Sequence, residues 1–142
     1  MLLKDKKAFI TGGSQGIGKA IALVLAEAGA EVAIGGRNLE KLNLVAEELR
    51  STGRRILPIQ VDITQAGNVR DAFSRVSSEF ARLDILVNNA GGNQDGLLLR
   101  MKVEDWDSVM ESNLKGVFLC TQEAIKIMLR QRYGRIINIS SV

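Results

Sequence analysis

Near the start of the chain stands Thr11-Gly12-Gly13-Ser14-Gln15-Gly16-Ile17-Gly18, the first segment whose residue types and spacing could do chemistry. Glycines at 12, 16 and 18 let the backbone turn tightly and approach a pyrophosphate closely. They also let a helix and a strand pack with no side chain between them. The apolar run Ala8-Phe9-Ile10 precedes the loop and helical periodicity follows it, so the loop opens onto a helix N-terminus, whose free N–H groups attract phosphate. A structural turn is the plainer reading of such glycines, but their place at a strand–helix junction favours a nucleotide. Gly13 to Lys19 also comes close to a P-loop, yet residue 20 is Ala20, and the hydroxyl that would hold Mg²⁺ is missing.

A second candidate lies after the next strand-like run, in Ile34-Gly35-Gly36-Arg37. A dinucleotide domain that takes NAD places a carboxylate here for the ribose 2′-OH. This segment has none, and Arg37 instead offers a planar cation to a 2′-phosphate and a face to adenine. A solvated surface arginine is the alternative; the missing acid and the present cation together favour NADP. The chain has no His, which excludes a Ser-His-Asp or Cys-His nucleophile pair and a zinc site built on imidazole. No metal is expected. Proton chemistry falls to Tyr, Lys, Ser or carboxylates.

These residues need a scaffold, and 142 residues are enough for one domain with a core of its own. The 46% hydrophobic and 25% charged residues match a soluble globular protein. A net charge of +3, with both signs interspersed, is not the basic stripe of a nucleic-acid binder. One Cys forbids an internal disulfide and suits a reducing compartment. No apolar run reaches the roughly 18 residues of a membrane span, and the first residues lack signal-peptide character. A cytoplasmic protein is expected.

Strand-like runs alternate with amphipathic stretches. Ala8–Ile10, Val32–Ile34, Ile56–Val61, Ile85–Val87 and Ile136–Ile139 read as strands. Pro58 inside the third predicts an edge position, where its missing N–H faces no partner. The first helix should bury Ile17, Ala20, Ile21, Val24, Leu25 and Ala28, and the second Leu39, Leu42, Val45, Ala46 and Leu49. A third, capped by Thr64, should bury Val69, Ala72, Phe73, Val76 and Phe80. A long helix from about Val103 to about Arg130 should bury Trp106, Val109, Met110, Val117, Ala124 and Met128, with Asn113 on the same face. Gly116 fits a close backbone approach there, and Cys120 reads as core filler. Strands apolar on both faces and separated by helices imply an α/β domain with a doubly wound parallel sheet, Rossmann type, in strand order 3-2-1-4-5.

The motifs together resemble the short-chain dehydrogenase/reductase family. Thr11-Gly-x-x-x-Gly16-x-Gly18 is similar to its cofactor signature, Asn88-Asn89-Ala90-Gly91 to its second motif, and Asn138-Ile139-Ser140-Ser141 to the motif ending in its catalytic serine. The resemblance implies NADP held by Gly12, Ser14, Gln15, Gly16, Ile17, Gly18 and Arg37, and by Asn89, Ala90 and Gly91. It implies that Asp62 accepts from the adenine amino group with Ile63 beside the ring; a helix-capping aspartate before Thr64 is the competing reading of Asp62. It further implies that Ser141 bonds the substrate carbonyl, and that Asn113 distorts its helix and holds a water that relays protons.

The family's mechanism also uses a Tyr and a Lys four residues later, because an unassisted phenol titrates near pH 10. Here the sole Tyr is Tyr133; Ile137 stands four residues on, and Ser141 follows instead of preceding. Within the family, Asp95–Met101, Asp105-Trp106, Asn113–Gly116 and Gln131–Arg135 most resemble 3-oxoacyl-acyl-carrier-protein reductases. That resemblance implies a ketone on acyl carrier protein as substrate, with Arg132 in the basic cluster Arg130, Arg132 and Arg135 meeting the acidic carrier. Another small ketone or sugar, and a non-catalytic NADP-binding or assembly module, stay open. The expectation is a single NADP-binding domain over 1–142, truncated after the fifth strand, that binds cofactor without turnover. Its Ile-rich edge is expected to promote self-association or a homo-oligomer.

Overall fold

The apolar runs become strands and the amphipathic stretches helices in the computed structural model, which describes residues 1–89 and 100–140. The elements are β1 (Lys7–Thr11), α1 (Gly16–Glu27), β2 (Glu31–Gly36), α2 (Leu39–Leu49), β3 (Ile56–Gln60), α3 (Ala66–Phe80), β4 (Ile85–Asn88), α4 (Val103–Met110), α5 (Gly116–Gln131) and β5 (Arg135–Asn138). The strands pair in parallel in the expected order β3-β2-β1-β4-β5. Pro58 sits on β3, which pairs with β2 alone, so the proline lies at an edge.

Each face of the sheet has its own core. Ala8, Ile10, Val32 and Ile34 pack under α1 and α2, while Phe9, Ala33, Leu57 and Leu86 pack under α3 and α5. Phe9 meets Phe73 edge to face at 5.1 Å, joining β1 to α3. The expected inner face of α3 is buried in full, and so is that of α2 except for Leu39, which is exposed.

Three expectations need correction. Helix α1 buries Gly18, Ala22 and Ala26, with Ile21 and Leu25 partly buried; Ile17, Ala20 and Val24 face solvent. Small residues win this face because they let the helix approach the sheet closely. Thr64 does not cap α3: residue 65 is the N-cap, and the Thr64 hydroxyl donates to Asp62 instead. The long helix is interrupted by a π turn at Glu111–Lys115. Ahead of it Trp106 is 55% exposed, and Val109 and Met110 are half-buried; behind it Gly116, Cys120, Ala124 and Met128 line the core. A π turn takes one more residue than an α turn, so a face read at a constant 3.6-residue period fails across it.

Candidate functional site

The carboxyl ends of the strands form the edge on which the site is built. Between β1 and β4 the strand order reverses direction, and open α/β sheets hold their ligands at such a point. The loop after β1 and the start of the segment after β4 are bonded together there. The Asn89 side-chain amide donates to the Gly12 carbonyl oxygen at 3.2 Å, and the Asn89 N–H donates to Thr11 Oγ1 at 3.0 Å. The Thr11 hydroxyl in turn donates to the Val87 carbonyl at 3.4 Å. Gly13 N–H donates to the Gly35 carbonyl at 3.1 Å, tying the loop to β2 as well.

Left-handed backbone calls for glycine at two points of the loop. Gly12 has φ of +66° and Gly16 φ of +55°, in the left-handed region that side chains disfavour. At Gly18 the backbone has its ordinary sense, but a Cβ would fall 2.0 Å from the Gly12 oxygen and 2.5 Å from Asn89 Nδ2. Helix α1 begins at Gly16 with Gln15 extended at the N-cap and no side-chain cap. Ser14 is half-exposed, and Gln15, Gly16 and Ile17 are exposed. The first N–H groups of α1 are therefore presented at the crevice without a side chain over them. A pyrophosphate fits this cradle: it needs closely approached backbone, free N–H donors and the positive end of a helix.

Arg37 follows β2 directly and is exposed. Among the described residues its guanidinium has no ion pair or hydrogen bond, while its carbonyl accepts from Gln60 Nε2 at 3.1 Å. Asp62 follows β3. Its Oδ1 accepts from the Thr64 hydroxyl at 2.7 Å and the Thr64 N–H at 3.0 Å. Those two bonds, with the Arg37 cation nearby, hold the Asp62 carboxyl below the usual carboxylate range. The local turn is thus one role of Asp62. Ile63 is 9% exposed, packed in the core against Gly116, where a Cβ would lie 2.3 Å from Ile63 Cδ1. The close approach expected at Gly116 is that contact.

Asn113 lies within the π turn, so the helix is distorted where the resemblance requires it. Its expected burial is not met: Asn113 is exposed, because the wide turn carries it off the core face. At the end of β4, the buried Asn88 amide donates to Thr121 Oγ1 at 3.2 Å and to Asn138 Oδ1 at 2.9 Å. Asn88 and Asn138 are register partners, and Ile139 N–H donates to the Asn88 carbonyl at 3.0 Å. This network, joining β4, β5 and α5 just below the edge, has no local sequence signal. Ala90, Gly91 and Ser141 lie outside the described residues.

Three residues stand elsewhere. Arg132 is exposed at the C-cap of α5, in left-handed backbone with φ of +59°, at the amino edge of the sheet. The structure therefore separates it from the crevice by the length of the strands. Tyr133, next to it, stacks beneath Lys6 Nζ at 4.1 Å and the Arg135 guanidinium at 5.0 Å, and takes no part in the site. Cys120 is buried in the core, and burial pushes its thiol up to about 12, which fits filler and not a nucleophile. Among the described residues no His/Cys/Asp/Glu group could hold a metal ion, and no helix is long and apolar enough to cross a membrane.

The doubly wound sheet, the glycine cradle at its switch point and the cation after β2 define a dinucleotide-binding domain. A family model for short chain dehydrogenases matches residues 6–142, and the chain belongs to that family. It is similar to 3-oxoacyl-[acyl-carrier-protein] reductase FabG of Staphylococcus aureus strain Mu50, 49% identical over 96% of this chain and 56% of the relative. Among solved structures it resembles a short-chain type dehydrogenase/reductase from Mycobacterium marinum, with TM-score 0.94 and 41% identity over 98% of this chain and 57% of the other. It also resembles an NAD⁺-bound xylitol dehydrogenase, with TM-score 0.96 and 30% identity over 99% of this chain and 55% of the other. The chain thus spans a little over half the length of these proteins.

Proposed function

We propose that the chain is the cofactor half of an NADPH-dependent carbonyl reductase acting on 3-oxoacyl groups carried by acyl carrier protein. The observation that carries this reading is the Gly12–Asn89 clamp at the switch point, with Arg37 where an NAD enzyme would keep an acid. The bound nicotinamide would supply the hydride. Gly12, Gly16 and Gly18 admit the pyrophosphate, and the N–H groups of Ser14 to Ile17 face it. Arg37 takes the 2′-phosphate, Asp62 the adenine amino group, and Asn89, Ala90 and Gly91 line the ribose between the two ends. Ser141 holds the substrate carbonyl and Asn113 orients a water for proton transfer. The resemblance to carrier-protein reductases supports the substrate class, and the exposed Arg132 is the docking candidate for the acidic carrier.

The 142 residues contain no Tyr-x-x-x-Lys, so they bind cofactor without turning substrate over. The expected home is the cytoplasm, and the exposed Ile137 and Ile139 at the β5 edge favour a homo-oligomer. Adding acetoacetyl-carrier protein to the NADPH-loaded chain tests the reading. It predicts carrier binding with no loss of NADPH. No carrier binding would remove the substrate, and steady NADPH oxidation would overturn the claim of binding without turnover.

A further inference from the structure

Arg37 lies one residue past β2, beyond the strand ladder, so the direction of its side chain depends on what fixes the Gly36–Asn38 turn. Three hydrogen bonds do this. Val61 N–H donates to the Gly36 carbonyl at 2.8 Å, and the Asn38 side chain accepts from Lys41 N–H at 3.1 Å. Between them, Gln60 Nε2 donates to the carbonyl of Arg37 itself at 3.1 Å. Gln60 is the last residue of β3, stands opposite Gly36 in the register and is exposed. Its side chain is not part of the core on either face of the sheet, so packing does not account for it.

Gln60 is also far from the rest of the cradle. The clamp between Gly12 and Asn89 joins β1 and β4, and β2 lies between those strands and β3. Resting on the NADP reading above, we propose that Gln60 is a positioning residue for cofactor discrimination. It holds the Arg37 peptide so that the guanidinium faces the ribose 2′-phosphate, and adds nothing to the part of the site that NADPH and NADH share. An arginine whose backbone is already fixed loses less freedom when it closes on a phosphate. An exposed neutral hydrogen bond is a modest device, so the effect is a roughly two- to tenfold change in affinity.

Gln60→Met keeps the side-chain length and removes the donor. Calorimetric titration of the 142-residue chain with NADPH and with NADH should show NADPH binding about two- to tenfold more weakly, NADH binding unchanged and an unchanged Tm. Gln60→Ala, which removes the donor by truncation, should show the same selective loss. Equal weakening of both nucleotides, or a preference for NADPH untouched in both variants, overturns the role of Gln60 alone. An unaltered chain that binds the two nucleotides equally overturns the NADP reading and this role with it.

Discussion

Asn89 and Gly18 approach the Gly12 carbonyl from opposite elements. The Asn89 amide donates to that oxygen at 3.2 Å, and a Cβ on residue 18 would lie 2.0 Å from it. One peptide group is thus held by a side chain from the end of β4 while the backbone of α1 packs upon it. Gly18→Ala must push the helix or the loop away. Overpacking of this kind costs about 1–3 kcal/mol. Urea denaturation should show that loss, together with loss of nucleotide binding; a variant that binds normally would mean the cradle has slack.

A similar close contact joins the π-turn end of α5 to the loop after β3. Gly116→Ala would place its methyl 2.3 Å from Ile63 Cδ1. It should destabilise the chain by about 1–3 kcal/mol. Ile63→Val removes that carbon, so the double variant should recover part of the loss, read as a coupling energy in a double-mutant cycle. Strict additivity would show that the two residues do not press on each other.

The Asp62 carboxyl is lowered first by the Thr64 hydroxyl and N–H it accepts from, and then by Arg37. A carboxylate depressed on folding contributes stability that is present above its unfolded pKa, about 3.9, and lost as pH falls through the lower folded value. Asp62→Asn should therefore be less stable than the parent at neutral pH. The gap should narrow as pH falls below the unfolded value. A gap constant across acid titration would assign the effect to shape and not to charge.

Cys120 should be inert toward thiol reagents in the folded chain, since burial both shields it and pushes the thiol up to about 12. Reaction at the rate of an unfolded thiol under native conditions would contradict the packing of α5 against the sheet.

Some of this was legible in the residues. Continuous apolar runs such as Ile85-Leu86-Val87 have one good use, a strand buried on both faces, and the glycine loop marks the edge of the sheet at which ligands bind. What was not legible has physical causes. Apolar periodicity weights large side chains, whereas the close approach of α1 is made by Gly18, Ala22 and Ala26. Trp106 and Asn113, seven residues apart, share a face only in an unbroken α-helix, and a π turn intervenes. Thr64 had two uses, capping and bonding Asp62, and the shorter-range bond prevailed. The Asn88–Asn138 pair joins strands 50 residues apart, and only the sheet register brings the two amides together.

The affinity of the chain for NADPH against NADH, measured in parallel for the parent and for Arg37→Ala, tests the central claim most directly. A hydrogen bond to a charged group is worth about 1.5–3 kcal/mol, so the parent should prefer NADPH by roughly ten- to a hundredfold. Arg37→Ala should abolish that preference, weakening NADPH far more than NADH. Equal affinities in the parent, or a preference for NADH, would contradict the account.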